Sequence, residues 1–266
     1  MNNPVTQLPT HTRPHNIPLP QQQLHDERFP HGVGDEKIRI RDLHAFYGES
    51  HVLHGVDLYV NQGELVTLLG RNGAGRSTTL KSIMNMVGRR TGSIMINGRE
   101  TLGMAAHQIA WLGLGFCPEE RGIFASLTVE ENLMLPPDVR SDGMPLEEIY
   151  SVFPNLYERR YSQGTRLSGG EQQMLALARI MRSGANILLL DEITEGLAPV
   201  IVRKLGEVLV TLKNRGLTIL LVEQNFHFAA PIADRHYVMD HGHIVEEISR
   251  EELPSRQEYL NSMLGV

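Results

Sequence analysis

Leu65-Val66-Thr67-Leu68-Leu69-Gly70-Arg71-Asn72-Gly73-Ala74-Gly75-Arg76-Ser77-Thr78-Thr79-Leu80-Lys81-Ser82-Ile83 runs from an apolar stretch through a glycine-rich bend into a helix-compatible segment. An unbroken apolar run predicts a strand covered on both faces, as in parallel sheets. Glycines at 70, 73 and 75 let backbone N–H groups converge on an anion, and the helix that follows aims its positive end at the same charge. Ser77 offers a hydroxyl suited to a divalent cation. Strand, loop and helix in this order predict an α/β protein with a phosphate site beyond the strand's carboxyl end. On its own the loop could also be a glycine-rich turn without ligand.

Working outward, Ile187 to Leu190 and Ile219 to Val222 are two further unbroken apolar runs, ending in Asp191-Glu192 and Glu223-Gln224. They are expected beside the first strand, with the active site at their shared carboxyl end. On the N-terminal side, Ile38 and Ile40 alternate with arginines, Val52 to Val60 is strand-like, and Ile94-Met95-Ile96 runs into the hairpin dipeptide Asn97-Gly98. These pieces predict a small antiparallel sheet. Residues from about 119 to 182 are helical and charged in pattern, consistent with a helical insert in an α/β core. His241-Gly242-His243 reads as a hairpin turn between Tyr237-Val238-Met239 and Ile244-Val245, and Cys117 and Trp111 as packing residues.

Residues 1 to 36 are rich in Pro, His, Gln and Asn without periodicity and are expected to be a disordered tail, leaving one domain over 37 to 266. Its loosely spaced His11, His15, His25 and His31 suggest no metal site. With 41% hydrophobic residues in a chain of 266, a sizeable core can be buried. A net charge of -6 argues against nucleic acid as a partner, which needs a dominant basic surface. One cysteine fits a reducing, cytoplasmic compartment, and no apolar run approaches the ~20 residues of a membrane span. The N-terminus lacks the basic start and apolar core of a secretory leader.

The glycine loop nearly matches the Walker A spacing, with Arg76 where that motif has lysine. Arginine keeps the charge but replaces a compact point with a planar fork. Leu167-Ser168-Gly169-Gly170-Glu171-Gln172-Gln173 then introduces a helix, with Ser168 and Glu171 spaced as a capping box. This heptapeptide resembles the signature of the ABC ATPases, and Ile187 to Glu192 is similar to their Walker B strand. The resemblance spans about residues 37 to 250. It implies a P-loop NTPase core of the ABC type, with a mixed parallel sheet, a small antiparallel β subdomain and a helical subdomain at about 119–182.

The resemblance also implies roles. ATP would be held by Gly70, Arg71, Asn72, Gly73, Ala74, Gly75, Arg76, Ser77 and Thr78, with Tyr47 stacked on adenine. Mg²⁺ would be held by Ser77 and, through water, Asp191, while Glu192 would polarise the attacking water. Glu119 occupies the place of the Q-loop glutamine that links the metal site to the membrane partner, and Gln224 the place of the switch histidine. Ser168, Gly169, Gly170 and Glu171 of a second subunit would close the site, giving an ATP-sandwiching dimer of this chain with itself or a companion ATPase. With Phe153-Pro154-Asn155-Leu156, Leu127 to Leu133 and Gly196-Leu197-Ala198-Pro199, the chain looks like the Liv-type subunit for branched-chain amino-acid uptake. Urea and amide importers share much of that pattern.

Two permease subunits, and indirectly a solute-binding protein, are the implied partners, and the inner face of the cell membrane the implied location. Ile193 departs from the family's proline and is expected to loosen the loop toward the dimer contact. A catalytically weak regulatory subunit, silenced by Arg76, is the alternative; a soluble ABC protein of translation or DNA repair would resemble two fused cassettes or carry a long coiled-coil insert.

Overall fold

The computed structural model describes residues 35–264. The expected tail lies outside them save for its last two residues, and Glu36 already opens the first strand. In chain order the elements are β1 (Glu36–Tyr47), β2 (Ser50–Asn61), β3 (Leu65–Gly70), α1 (Arg76–Ile83), β4 (Arg89–Ile96), β5 (Arg99–Glu100), α2 (Ala106–Ala110) and β6 (Leu114–Cys117). There follow α3 (Val129–Met134), α4 (Leu146–Val152), α5 (Pro154–Glu158), α6 (Gly169–Arg182), β7 (Ile187–Asp191), α7 (Pro199–Asn214), β8 (Thr218–Glu223), α8 (Phe226–Ala229), β9 (Arg235–Asp240), β10 (His243–Ser249) and α9 (Leu253–Leu264).

The three apolar runs do lie together. In a six-stranded sheet of order β10-β9-β3-β8-β7-β6, strand β3 is parallel to both β8 and β9, and β7 is parallel to β8 and β6. Every residue of β3, β7 and β8 is buried, which explains why the runs show no alternation. One face packs on α6 and α7 through Leu188, Leu190, Leu205 and Leu209; the other meets the small sheet through Val66, Leu68, Val56 and Ile94. That second sheet is antiparallel, of order β2-β1-β4-β5. Its β4–β5 turn has positive φ at Asn97 and Gly98, as the dipeptide requires.

Helices α3 to α6 occupy the expected insert. Thr128 caps α3 and Ser168 caps α6, each in a reciprocal capping box, and Val129, Leu133, Ile149, Phe153 and Leu156 bury against the inner stripe of α6. Arg90, on β4, turns inward and donates to the carbonyls of Ser82, Thr101 and Leu102, satisfying the end of α1.

Trp111 departs from expectation. It follows the five-residue α2, whose inward position is taken by Ile109, and stands 67% exposed, whereas Cys117 is buried as expected. Ile193, two residues past the end of β7, is buried in the core. No described helix is long and apolar enough to cross a membrane.

Candidate active site

At the end of β3 the chain bends where only glycine fits. A Cβ on Gly70 would lie 2.4 Å from the Met239 carbonyl oxygen, and Gly75 sits at φ +109° with the Leu53 side chain 2.8 Å from where a Cβ would be. Gly75 is the N-cap of α1 and supplies no side-chain cap, leaving that helix start without a protein acceptor of the usual kind. A cleft of about 420 Å³ opens there, lined by Tyr47, Val52, Asn72 to Thr78, Glu119, Glu192 and Glu195. Tyr47 ends β1 at the cleft wall, 44% exposed, its ring available for stacking.

Ser77 Oγ donates to Asp191 Oδ1 at 2.8 Å. Asp191 is buried at the end of β7; burial pushes its carboxyl above the usual range, and the Ser77 hydrogen bond opposes this. One hydroxyl and one carboxylate are an open donor set rather than a cage, as Mg²⁺ requires when phosphate oxygens and waters complete it. Among the described residues no group of three or more His, Cys, Asp or Glu could hold a metal alone. Immediately after Asp191 the chain turns: Glu192 has φ +46°, its N–H donates to the Val222 carbonyl at 2.9 Å, and its carboxylate reaches the cleft.

Arg76 does not lie free in the loop. It is 4% exposed, and its guanidinium donates to the Gly70 carbonyl, the Glu223 carbonyl at 3.3 Å, Asn72 Oδ1 at 3.3 Å and Glu192 Oε1 at 2.5 Å. A planar fork with five donors on three nitrogens spans these separated oxygens, a spread that the three donors on a single ammonium nitrogen do not cover. The departure from lysine therefore ties the candidate water-polarising carboxylate to the phosphate loop.

Glu119 lines the cleft, and its carboxyl is held above the usual range by burial first, then by the charge of Glu195 and a hydrogen bond with it that only a shared proton allows. Tyr47, Asn72 to Thr78, Glu119 and Glu192 thus meet in one cleft, with Asp191 reaching it through Ser77, and Gly70 and Arg71 leading into it. Gln224 follows β8, outside the lining. Ser168, Gly169, Gly170 and Glu171 also lie outside it, at the head of α6, where Ser168 and Glu171 cap each other through N–H···O contacts of 2.8 and 3.3 Å.

The sequence reading gave no role to four residues, although it placed Glu223 at the active-site end of its strand. Val52 and Glu195 line the cleft; Glu223 and Thr194 lie behind it. Glu223 is buried, accepts from Thr194 N–H at 3.2 Å and Thr194 Oγ1 at 3.1 Å, and burial pushes its carboxyl up to about 7. An acid closing a wholly apolar run was the available signal for Glu223.

The ABC transporter family pattern matches residues 53–195. The high-affinity branched-chain amino acid transport ATP-binding protein BraG of Pseudomonas aeruginosa is 38% identical over 224 residues, 83% of this chain and 96% of that protein. The lipopolysaccharide export system ATP-binding protein LptB of Haemophilus influenzae is 32% identical over 234 residues, 86% and 97% of the two chains. Among solved structures, an ATP-binding subunit of an ABC transporter superposes with a TM-score of 0.72 at 25% identity, over 86% of this chain and 99% of that one.

Proposed function

The chain belongs to the ABC transporter family, and from that premise we propose that it is the ATP-hydrolysing subunit of an importer for branched-chain amino acids or a related small polar solute. The observation that carries this is the single cleft joining the glycine loop, the Ser77–Asp191 pair and Glu192. When bound, ATP supplies the phosphoryl group to be transferred to water and Mg²⁺ neutralises its oxygens. Backbone N–H groups of residues 72 to 77 and the start of α1 would bind the phosphates, and Tyr47 would stack on the base. Ser77 and Asp191 would orient the ion. Glu192 would orient water, once the Arg76 guanidinium divides its donors between phosphate and carboxylate.

Because the signature residues lie outside the cleft, a second subunit would bring its own Ser168, Gly169, Gly170 and Glu171 to close it. Permease subunits would hold the pair at the inner face of the membrane. Amino-acid uptake is favoured over export because the resemblance to the uptake protein is closer, 38% against 32% identity. A second reading, a nucleotide-binding subunit of low turnover, is favoured by the Arg76–Glu192 ion pair alone.

Glu192→Gln should keep ATP binding and slow turnover by about 10²-fold or more, the scale of a lost water-orienting base. With ATP and Mg²⁺ it should migrate as a dimer on size exclusion, alone or with its companion ATPase; monomer only would end the sandwich reading. Leucine uptake by proteoliposomes carrying the full assembly separates import from export, and steady-state ATPase of wild type separates the active from the low-turnover reading.

A further inference from the structure

Glu192 carries the chemistry proposed above, yet its backbone sits at φ +46°, a region that a non-glycine residue holds only when its surroundings impose it. Part of that hold is the N–H bond to Val222. The Glu192 carbonyl accepts from Glu195 N–H at 3.3 Å, and a further set of bonds converges on Glu223, the last residue of β8. Its carboxylate is 1% exposed and accepts from both the N–H and the hydroxyl of Thr194, two residues beyond Glu192. It also accepts the backbone N–H of Asn225, in the segment that carries Gln224. Its carbonyl oxygen accepts from Arg76 Nη1, while Arg76 Nη2 meets Glu192 Oε1.

A buried carboxylate is retained against a desolvation cost only where its hydrogen bonds are met, and both Thr194 bonds tie it to the loop that follows Glu192, while the Asn225 bond ties it to its own segment. We propose that Glu223 is a positioning residue for Glu192: acting through Thr194, it fixes the loop after β7 so that the Glu192 carboxylate faces the phosphate loop, and it holds the Gln224 segment to the same loop. Thr194 is its working partner. The proposal rests on Glu192 being the water-orienting group.

The test uses the full chain assembled with its permease partners, with nucleotide titration, steady-state turnover and hydrogen exchange of residues 192–198. Glu223→Gln replaces one acceptor oxygen by a donor, Thr194→Val removes only the hydroxyl, and Thr194→Ser restores it. Glu223→Gln and Thr194→Val should each lower kcat by about tenfold or more with the ATP Kd changed less than about threefold, the pattern of an interaction needed in the transition state rather than for binding. Exchange over 192–198 should quicken while α1 keeps its protection. Thr194→Ser should stay near wild type, and the double variant should be no slower than Glu223→Gln alone.

Should Glu223→Gln fail to fold, Thr194→Val and Thr194→Ser decide the matter alone. Unchanged kcat in a folded variant, additive losses, or Kd and kcat worsening together would overturn the proposal. If the wild-type assembly turns over no ATP, it is the reading of Glu192 that has failed. The exchange data then decide separately: unchanged exchange over 192–198 rejects the strut.

Discussion

At position 76 the geometry of one side chain bears on the rate. The guanidinium is locked among four protein oxygens, one of them on Glu192, and phosphate must compete for the same donors. A lysine ammonium could not span that set, so Arg76→Lys should free Glu192. The expected result is a several-fold rise in kcat, about 1 kcal/mol of barrier, with nucleotide affinity changed much less. Paired ATPase and titration measurements on the assembled transporter check it. His236 gives a second residue-scale prediction. It is fully buried, its Nδ1 lies 2.6 Å from Thr67 Oγ1, and burial first, then the Arg250 charge, lower its pKa from 6.5 to about 4. The native state therefore releases the proton more readily than the unfolded chain. Its contribution is present above pH 6.5 and is lost as pH falls toward 4. Between pH 7.5 and 5, the unfolding free-energy advantage of wild type over His236→Gln should shrink by about 2 kcal/mol, read from denaturant titrations at the two pH values. Of these residues the sequence announced Arg76 and Glu192 as neighbours in chemistry, but not their direct contact. Nor did it show Glu223 turning inward, because which partner a buried acid finds depends on strands and loops distant in the chain.

Among the elements, the strands were the most legible. Leu65 to Leu69, Ile187 to Leu190 and Ile219 to Val222 show no polar alternation, Thr67 being the one polar residue among them, because both their faces are covered, as in central parallel strands. The Asn97-Gly98 and His241-Gly242 turns were legible because positive φ selects those residues. Trp111 was not, since a short helix buries one position per turn and nothing in the sequence says which. The signature helix α6 was read from its capping box, and the cap has a measurable cost. Ser168→Ala should destabilise the isolated chain by about 1 kcal/mol. At this length that is a fall of about 2–4 °C in Tm. Nucleotide affinity of the isolated chain should not change, because Ser168 lies outside its own cleft. Calorimetry and a fluorescent-nucleotide titration on the same sample report both.

Across the whole molecule the two sheets are joined by a few polar ties. Arg235 on β9 donates to Glu64 at 2.8 Å, to Glu247 at 2.7 Å and to the Tyr59 carbonyl at 2.9 Å, linking the large sheet to the small one. Gly242 makes a second tie. Its N–H donates to the Ala74 carbonyl at 2.8 Å and its carbonyl accepts from His54 N–H at 2.9 Å, so the β9–β10 turn rests on the phosphate loop from one side and on β2 from the other. A Cβ there would lie 2.2 Å from the Val52 carbonyl oxygen, and Val52 lines the cleft. From the sequence this turn looked like any exposed hairpin tip, the kind of place where tags and fused domains are usually accommodated. It is the wrong place for one. A Gly-Ser pair inserted between His241 and Gly242 should weaken ATP binding by about tenfold, roughly 1.4 kcal/mol, while the same pair after Gly98, whose surroundings are open, should leave binding unchanged. Comparing nucleotide Kd for the two insertions tests this, and it sends any reporter fusion to the β4–β5 turn.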